Sequence, residues 1–176
     1  MAEFIAKTKR KSYNTKYRLQ FIKITNDIEH FIQESGLLSG SVVIQTNHTT
    51  CSLWMNEDEK NLIGPSEEIG YINDLKRVLD RFAGPEEEYH HNDVLDYKNT
   101  KGKRDTHLCI ADENGVINEC MNGHAHAQAM VLQSSLTLIV EDGKLAKGPW
   151  QEVLLVELDH DRERTITMLA QGIAKR

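Results

Sequence analysis

The last third of the chain constrains its fold most. From Ser135 onward, short apolar stretches alternate with polar turn residues at strand spacing. Residues 136–140, a Glu141-Asp142-Gly143 turn, a short strand near Leu145, residues 153–158, a polar turn at Asp159-His160-Asp161 and residues 165–169 read as an antiparallel meander. Earlier strands are expected at 17–25, 42–46 and 51–55. Between them, Thr25 or Asn26 is expected to cap a short helix with Ile28, Phe31 and Ile32 on one face, ended by Gly36. Pro65-Ser66 should open a longer core helix whose Ile72, Leu75, Val78, Leu79 and Phe82 form an apolar stripe, stopped at Gly84-Pro85. A polar loop over 86–103, a hairpin pairing 106–110 with 116–120, and a helix from Asn122-Gly123 to about Leu132 complete the pattern. Strands before and after the helices predict an α+β fold, a single domain over 1–176 dominated by an antiparallel sheet or sandwich.

A chain of 176 residues is long enough to bury a core without disulfide staples. Cys51, Cys109 and Cys120 are an odd number without a secretory leader, so the expected compartment is the cytoplasm. No apolar run reaches the roughly 20 residues of a membrane span, and no membrane partner is expected. A formal charge of -6 argues against a broad nucleic-acid-binding face. The cluster Lys7, Lys9, Arg10, Lys11, Lys16 and Arg18 is the local exception, and is read as solvated strand positions.

Eight histidines stand out in a chain of this length, because imidazole serves as metal ligand, general base or anion-binding donor. Three segments join a histidine to hydroxylic, aromatic or small neighbours: His48-Thr49-Thr50, Tyr89-His90-His91 and His124-Ala125-His126. Catalytic zinc sites gather three such ligands and keep a fourth position open. Geometry allows one histidine per segment. His90 and His91 face opposite ways if extended, and His124 and His126 stand about 200° apart around a helix. Spacing alone does not choose between a shared site and ordinary surface or hydrogen-bonded histidines. His107, Cys109, Cys120 and His124 form a second arrangement, readable as a Cys2His2 zinc site or as buried cysteines on a hairpin. Glu57 is a candidate base or hydrogen-bond acceptor for a ligating imidazole, and Arg162 and Arg164 are candidate phosphate donors. No Walker loop, G-x-S-x-G elbow or H-E-x-x-H helix is present.

The stretch from Ser135 through Glu141-Asp142-Gly143 and Gly148-Pro149-Trp150-Gln151 to Val153 resembles the signature of the YjbQ-like family, often labelled secondary thiamine-phosphate synthases. His48-Thr49-Thr50, Asn56-Glu57, Tyr89-x-His91 and Ala125-His126 leading into Ser134-Ser135 resemble further family elements in the same order. The resemblance implies a β-rich sandwich with flanking helices, a homotrimer, and a histidine-lined site at a subunit boundary. It implies that His48, His91 and His126 hold a divalent metal, zinc or magnesium, and act with Glu57 in catalysis. Thr49, Ser135, Trp150, Gln151 and Arg162 would bind a small phosphorylated substrate. The implied reaction joins a hydroxymethylpyrimidine diphosphate to a thiazole phosphate. A metal-dependent hydrolase of a small phosphorylated compound and a non-catalytic metal- or anion-binding trimer are the alternatives. Two departures stand out: Pro149 where the family usually has threonine, and an apparent insertion at about 94–121.

Overall fold

The computed structural model describes residues 3–64, 73–92, 113 and 121–174. Their mixed α+β architecture contains two antiparallel sheets. The first has the order β1 (Glu3–Asn14), β8 (Glu163–Ala174), β3 (Leu37–Thr46), β5 (Ser135–Glu141) and β6 (Lys144–Leu145). The second is β2 (Gln20–Lys23), β7 (Gln151–Glu157) and β4 (Cys51–Glu57).

The second sheet is buried on both sides, as its sequence requires. Leu53, Val153 and Leu155 face one core with Val42, Ile44, Ile166 and Met168 of the first sheet and with Ile28 and Ile32 of helix α1 (Thr25–Ser35). The intervening Phe21, Leu154 and Val156 face a second core with Ile63 of α2 (Lys60–Ile63), Leu79 of α3 (Asp74–Phe82) and Ala125 of α4 (Gly123–Ala129). A strand apolar at four consecutive positions, as β7 is over 153–156, needs cover on both faces, and β7 obtains it. For the same reason the expected meander does not form. β7 pairs with β2 and β4, whereas β8, which alternates apolar and polar residues, pairs with β1 and β3.

The ends of the helices depart from expectation in instructive ways. Ile24, not Thr25 or Asn26, occupies the N-cap of α1, because the Thr25 hydroxyl accepts the Val153 amide at 2.8 Å. Gly36 ends the helix in the left-handed conformation, φ 75°. Helix α3 begins after Asn73, whose side chain accepts the Lys76 amide. Its expected stripe is only partly core: Leu79 is buried, but Val78 and Phe82 are 58% and 49% exposed. The expected helix opening at Pro65 and the hairpin of 106–120 fall outside the described residues, apart from Glu113, as does all of the apparent insertion except Glu113 and Met121.

The N-terminal basic cluster is largely spent on neighbours. Lys9 pairs with Glu34, Lys11 with Asp27, the Lys7 ammonium donates to the Ser35 carbonyl, and Arg18 clasps Asp80. Among the described residues no helix is long and apolar enough to cross a membrane.

Candidate functional site

The tight connection between β3 and β4 carries His48-Thr49-Thr50, and a buried polar network fixes it from below. Glu157, 0% exposed at the end of β7, accepts from Arg164 Nε at 2.6 Å and Nη2 at 2.5 Å, from the Thr15 hydroxyl at 2.9 Å and from the Asp159 amide at 2.9 Å. Arg164 in turn donates from Nη2 to the Thr50 hydroxyl at 3.0 Å. A carboxylate without water is tolerable only with this many donors. Above the network, His48 Nε2 accepts the Thr165 backbone N–H at 2.8 Å. Burial, and then the positive charge of Arg164, hold the His48 ring below the usual histidine range, so it is neutral at neutral pH.

The same network reaches the other histidine segments. Asp159 accepts from the buried Asn122 side chain at 2.8 Å and pairs with Arg162 at 3.1 Å, anchoring the start of α4. Gly123 then brings the 3-10 turn His90–Asn92 against the helix: its amide donates to Asn92 Oδ1 at 2.9 Å. The Tyr89 ring lies where a Gly123 side chain would stand, with only 2.5 Å between Tyr89 Cβ and a hypothetical Cβ. The Tyr89 hydroxyl donates to the Gly84 carbonyl at 2.9 Å. Held this way, His91 and His126 meet edge to face with ring centroids 4.4 Å apart. His124, on the opposite side of α4, is buried instead. Burial, then Arg18, lowers its pKa, and among the described residues its Nε2 has no hydrogen-bond partner.

A cleft of about 420 Å³ opens beside His48, lined by Gln45, Asn47, His48, Thr49, Ser52 and Ser134, with Ala129 contributed by α4. His126 lies three residues before Ala129 on α4, the helix that contributes Ala129 to the cleft lining. No lysine, arginine or carboxylate is among the described lining residues. Cys51, also on the lining, is a buried thiol pushed up to about 12, by burial and then by Glu157, and is therefore unreactive.

Of the residues singled out in the sequence, His48 and Thr49 line this cleft, and Ser135 follows Ser134 at the start of β5, opposite Gln45. His91 and His126 pair with each other, edge to face, and are not among the residues lining it. Glu57, Trp150 and Gln151 gather elsewhere within the chain. Glu57 stands opposite Gln151 in the β4–β7 ladder, about 20 Å along the strand from Cys51. Trp150 is 71% exposed there. Pro149 occupies the second position of a turn closed by the Gln151 amide on the Gly148 carbonyl, where proline's fixed φ is favourable. Arg164 is too deeply engaged with Glu157 to reach a ligand, while Arg162 remains partly exposed beside the start of α4.

The implied three-histidine metal site can be tested on this geometry. Imidazole suits zinc better than magnesium, which prefers oxygen ligands. Yet no group of three or more histidine, cysteine or carboxylate side chains stands close enough to share an ion among the described residues. His91 and His126 supply two adjacent rings, but the third, His48, commits its Nε2 lone pair to a backbone donor. The triad therefore does not fit a metal within one chain.

What sequence reasoning passed over is the support: Thr15 and Glu157 were not singled out, Asp159 was read only as a turn residue, and Arg164, expected to donate to phosphate, instead joins Thr50 in holding the buried network. The signal was a single glutamate closing an otherwise apolar run over 153–158, a charge that must find partners if buried.

Comparison with known proteins gives this arrangement its relatives. A family model described as UPF0047 protein YjbQ-like matches residues 9–173. The UPF0047 protein of Archaeoglobus fulgidus is 28% identical over 156 residues, 89% of this chain and 94% of its own. The UPF0047 protein YugU of Bacillus subtilis is 29% identical over 159 residues, 90% of this chain and 94% of its own. A crystal structure of a YbjQ-like protein of unknown function from Sulfolobus solfataricus P2 superposes with a TM-score of 0.75 at 25% identity, covering 97% of this chain and 99% of that one. The chain belongs to the YjbQ-like UPF0047 family.

Proposed function

We propose that this protein is a cytoplasmic, homotrimeric transferase of the secondary thiamine-phosphate synthase kind, joining a hydroxymethylpyrimidine diphosphate to a thiazole phosphate. The observation that carries the reading is the cleft of neutral hydrogen-bonding side chains around His48, to whose lining α4, the helix of His126, contributes Ala129. Phosphoryl oxygens are acceptors, and hydroxyls, amides and an imidazole N–H suit them. In the reaction the thiazole is the nucleophile, the carbon–oxygen bond to the diphosphate breaks, and the diphosphate leaves with the electron pair. Catalysis then consists of holding the two substrates in line and stabilising charge on the leaving group. Thr49 and Ser135 donate to phosphoryl oxygens, and His91 and His126, with Arg162 behind them, meet the developing charge. Trimer formation is supported by the apolar residues left on one face of the first sheet: Phe4, opposite Ile173, and Ile139 are 67%, 39% and 53% exposed. A neighbouring subunit would bring further groups to the cleft.

Product analysis tests the assignment. Purified protein given both substrates should form thiamine phosphate and diphosphate one for one. Release of inorganic phosphate or diphosphate without thiamine phosphate would make the protein a hydrolase, and no turnover of either substrate would remove the enzymatic reading.

A further inference from the structure

We propose that His48 is a fixed neutral N–H donor to a ligand oxyanion, and neither a metal ligand nor a proton carrier. This rests on the cleft reading above but not on which reaction occurs there. The hydrogen bond at Nε2 carries the argument. A backbone amide can only donate, so the Thr165 N–H at 2.8 Å requires a lone pair on Nε2. A neutral imidazole then carries its proton on Nδ1. The donor is a main-chain group of β8, held in ladders with β1 on one side and β3 on the other, so it cannot turn away to free the lone pair. The residue's own amide is also fixed, donating to the Thr46 hydroxyl at 3.3 Å. Among the described residues no group accepts the Nδ1 proton, while the ring is half-exposed on the wall of the cleft.

A metal ligand needs the opposite arrangement: a free lone pair towards the ion and the proton turned to a protein acceptor. His48 has its lone pair turned to the protein and its proton left for the ligand. With Thr49 and Ser134 beside it, the ring contributes to a set that recognises oxygen acceptors such as a phosphate group, by dipoles rather than by formal charge.

The tautomer can be read directly. In long-range proton–nitrogen NMR of the full-length protein with nitrogen-15-labelled histidine, His48 should show a protonated Nδ1 and an unprotonated Nε2. Added zinc should leave both signals in place, whatever it does to His91 and His126, and added inorganic phosphate should shift Nδ1. A proton on Nε2, or zinc-dependent displacement of the Nε2 signal, would overturn the proposal, and so would phosphate that leaves Nδ1 unmoved. Substitution provides a second check. Asparagine places its amide near the Nδ1 position, so His48→Asn should retain phosphate binding within a few-fold, whereas His48→Ala should lose it at least tenfold. Equal loss in both variants counts against a donor at Nδ1. A result against the donor role leaves thiamine-phosphate formation to be decided by product analysis, and the reverse is equally true.

Discussion

Replacing Glu157 by glutamine should destabilise the protein more than any surface charge change, and the size of the effect follows from its contacts. The carboxylate has no exposure and accepts from Arg164 twice, from Thr15 and from the Asp159 amide. Glutamine retains one acceptor oxygen, turns an N–H towards at least one of these donors, and leaves the buried Arg164 guanidinium without the carboxylate bonded to it. Removing one partner of a buried pair costs about 3–5 kcal/mol. For a chain of this size each kcal/mol moves the melting temperature by roughly 2–4 °C, so the expected fall is about 6–20 °C. Urea unfolding monitored by tryptophan fluorescence would measure the free-energy change, with an unchanged denaturant slope showing that the native fold is retained. Combining Glu157→Gln with Arg164→Met should cost much less than the two changes added, because the orphaned charge is then gone. A loss below about 1 kcal/mol for Glu157→Gln, or strict additivity in the double variant, would refute the claim that this pair organises the base of the site.

The other consequences are smaller but equally specific. His48 and His124 both have lowered folded-state pKa values, so at pH above the ordinary histidine value neither affects stability. As pH falls through that value the unfolded chain takes up protons that the folded chain refuses, and stability drops until the lowered pKa values are passed. Urea unfolding between pH 7.5 and 5 should therefore show less acid-induced loss in His124→Gln than in the unmodified protein; an unchanged slope would contradict the burial argument. Gly123→Ala should cost about 1–3 kcal/mol, because its Cβ would collide with Tyr89 at 2.5 Å. It should also separate His91 from His126, visible as a change in their ring NMR shifts. Gly172→Ala should destabilise by at least as much. Its φ of +142° is strained for alanine, and the new Cβ would lie 2.3 Å from the Ser39 carbonyl.

The fold class was legible because β7 and β8 write their environments into the chain. Every residue of 153–156 is apolar and buried on one side or the other, whereas β8 alternates. That difference also contains the correction to the expected meander, since a strand covered on both faces belongs between layers and not at the edge of a single sheet. β1 was less visible. Lys7, Lys9 and Lys11 look like a solvated run in sequence and acquire their partners only when α1 folds beside them. For the site, angular arguments about His124 and His126 separate the two rings correctly, because α4 is a regular helix. Backbone donors leave no trace in a sequence, so the Thr165 amide that fixes the His48 ring could not be anticipated. Glu57 illustrates the opposite limit: it is nine residues from His48 in the chain, but an extended strand carries it to the far end of the sheet.

The central claim is that the His48 cleft and the His91–His126 pair perform the chemistry. The direct measurement is the rate of thiamine-phosphate formation by the unmodified protein, His48→Ala, His126→Ala and the surface control Lys144→Ala, each shown to be folded. The site predicts losses of about 100-fold or more for the two histidine variants, comparable to removing a group that stabilises developing charge, and an unchanged rate for the control. Equal rates in all four would contradict it.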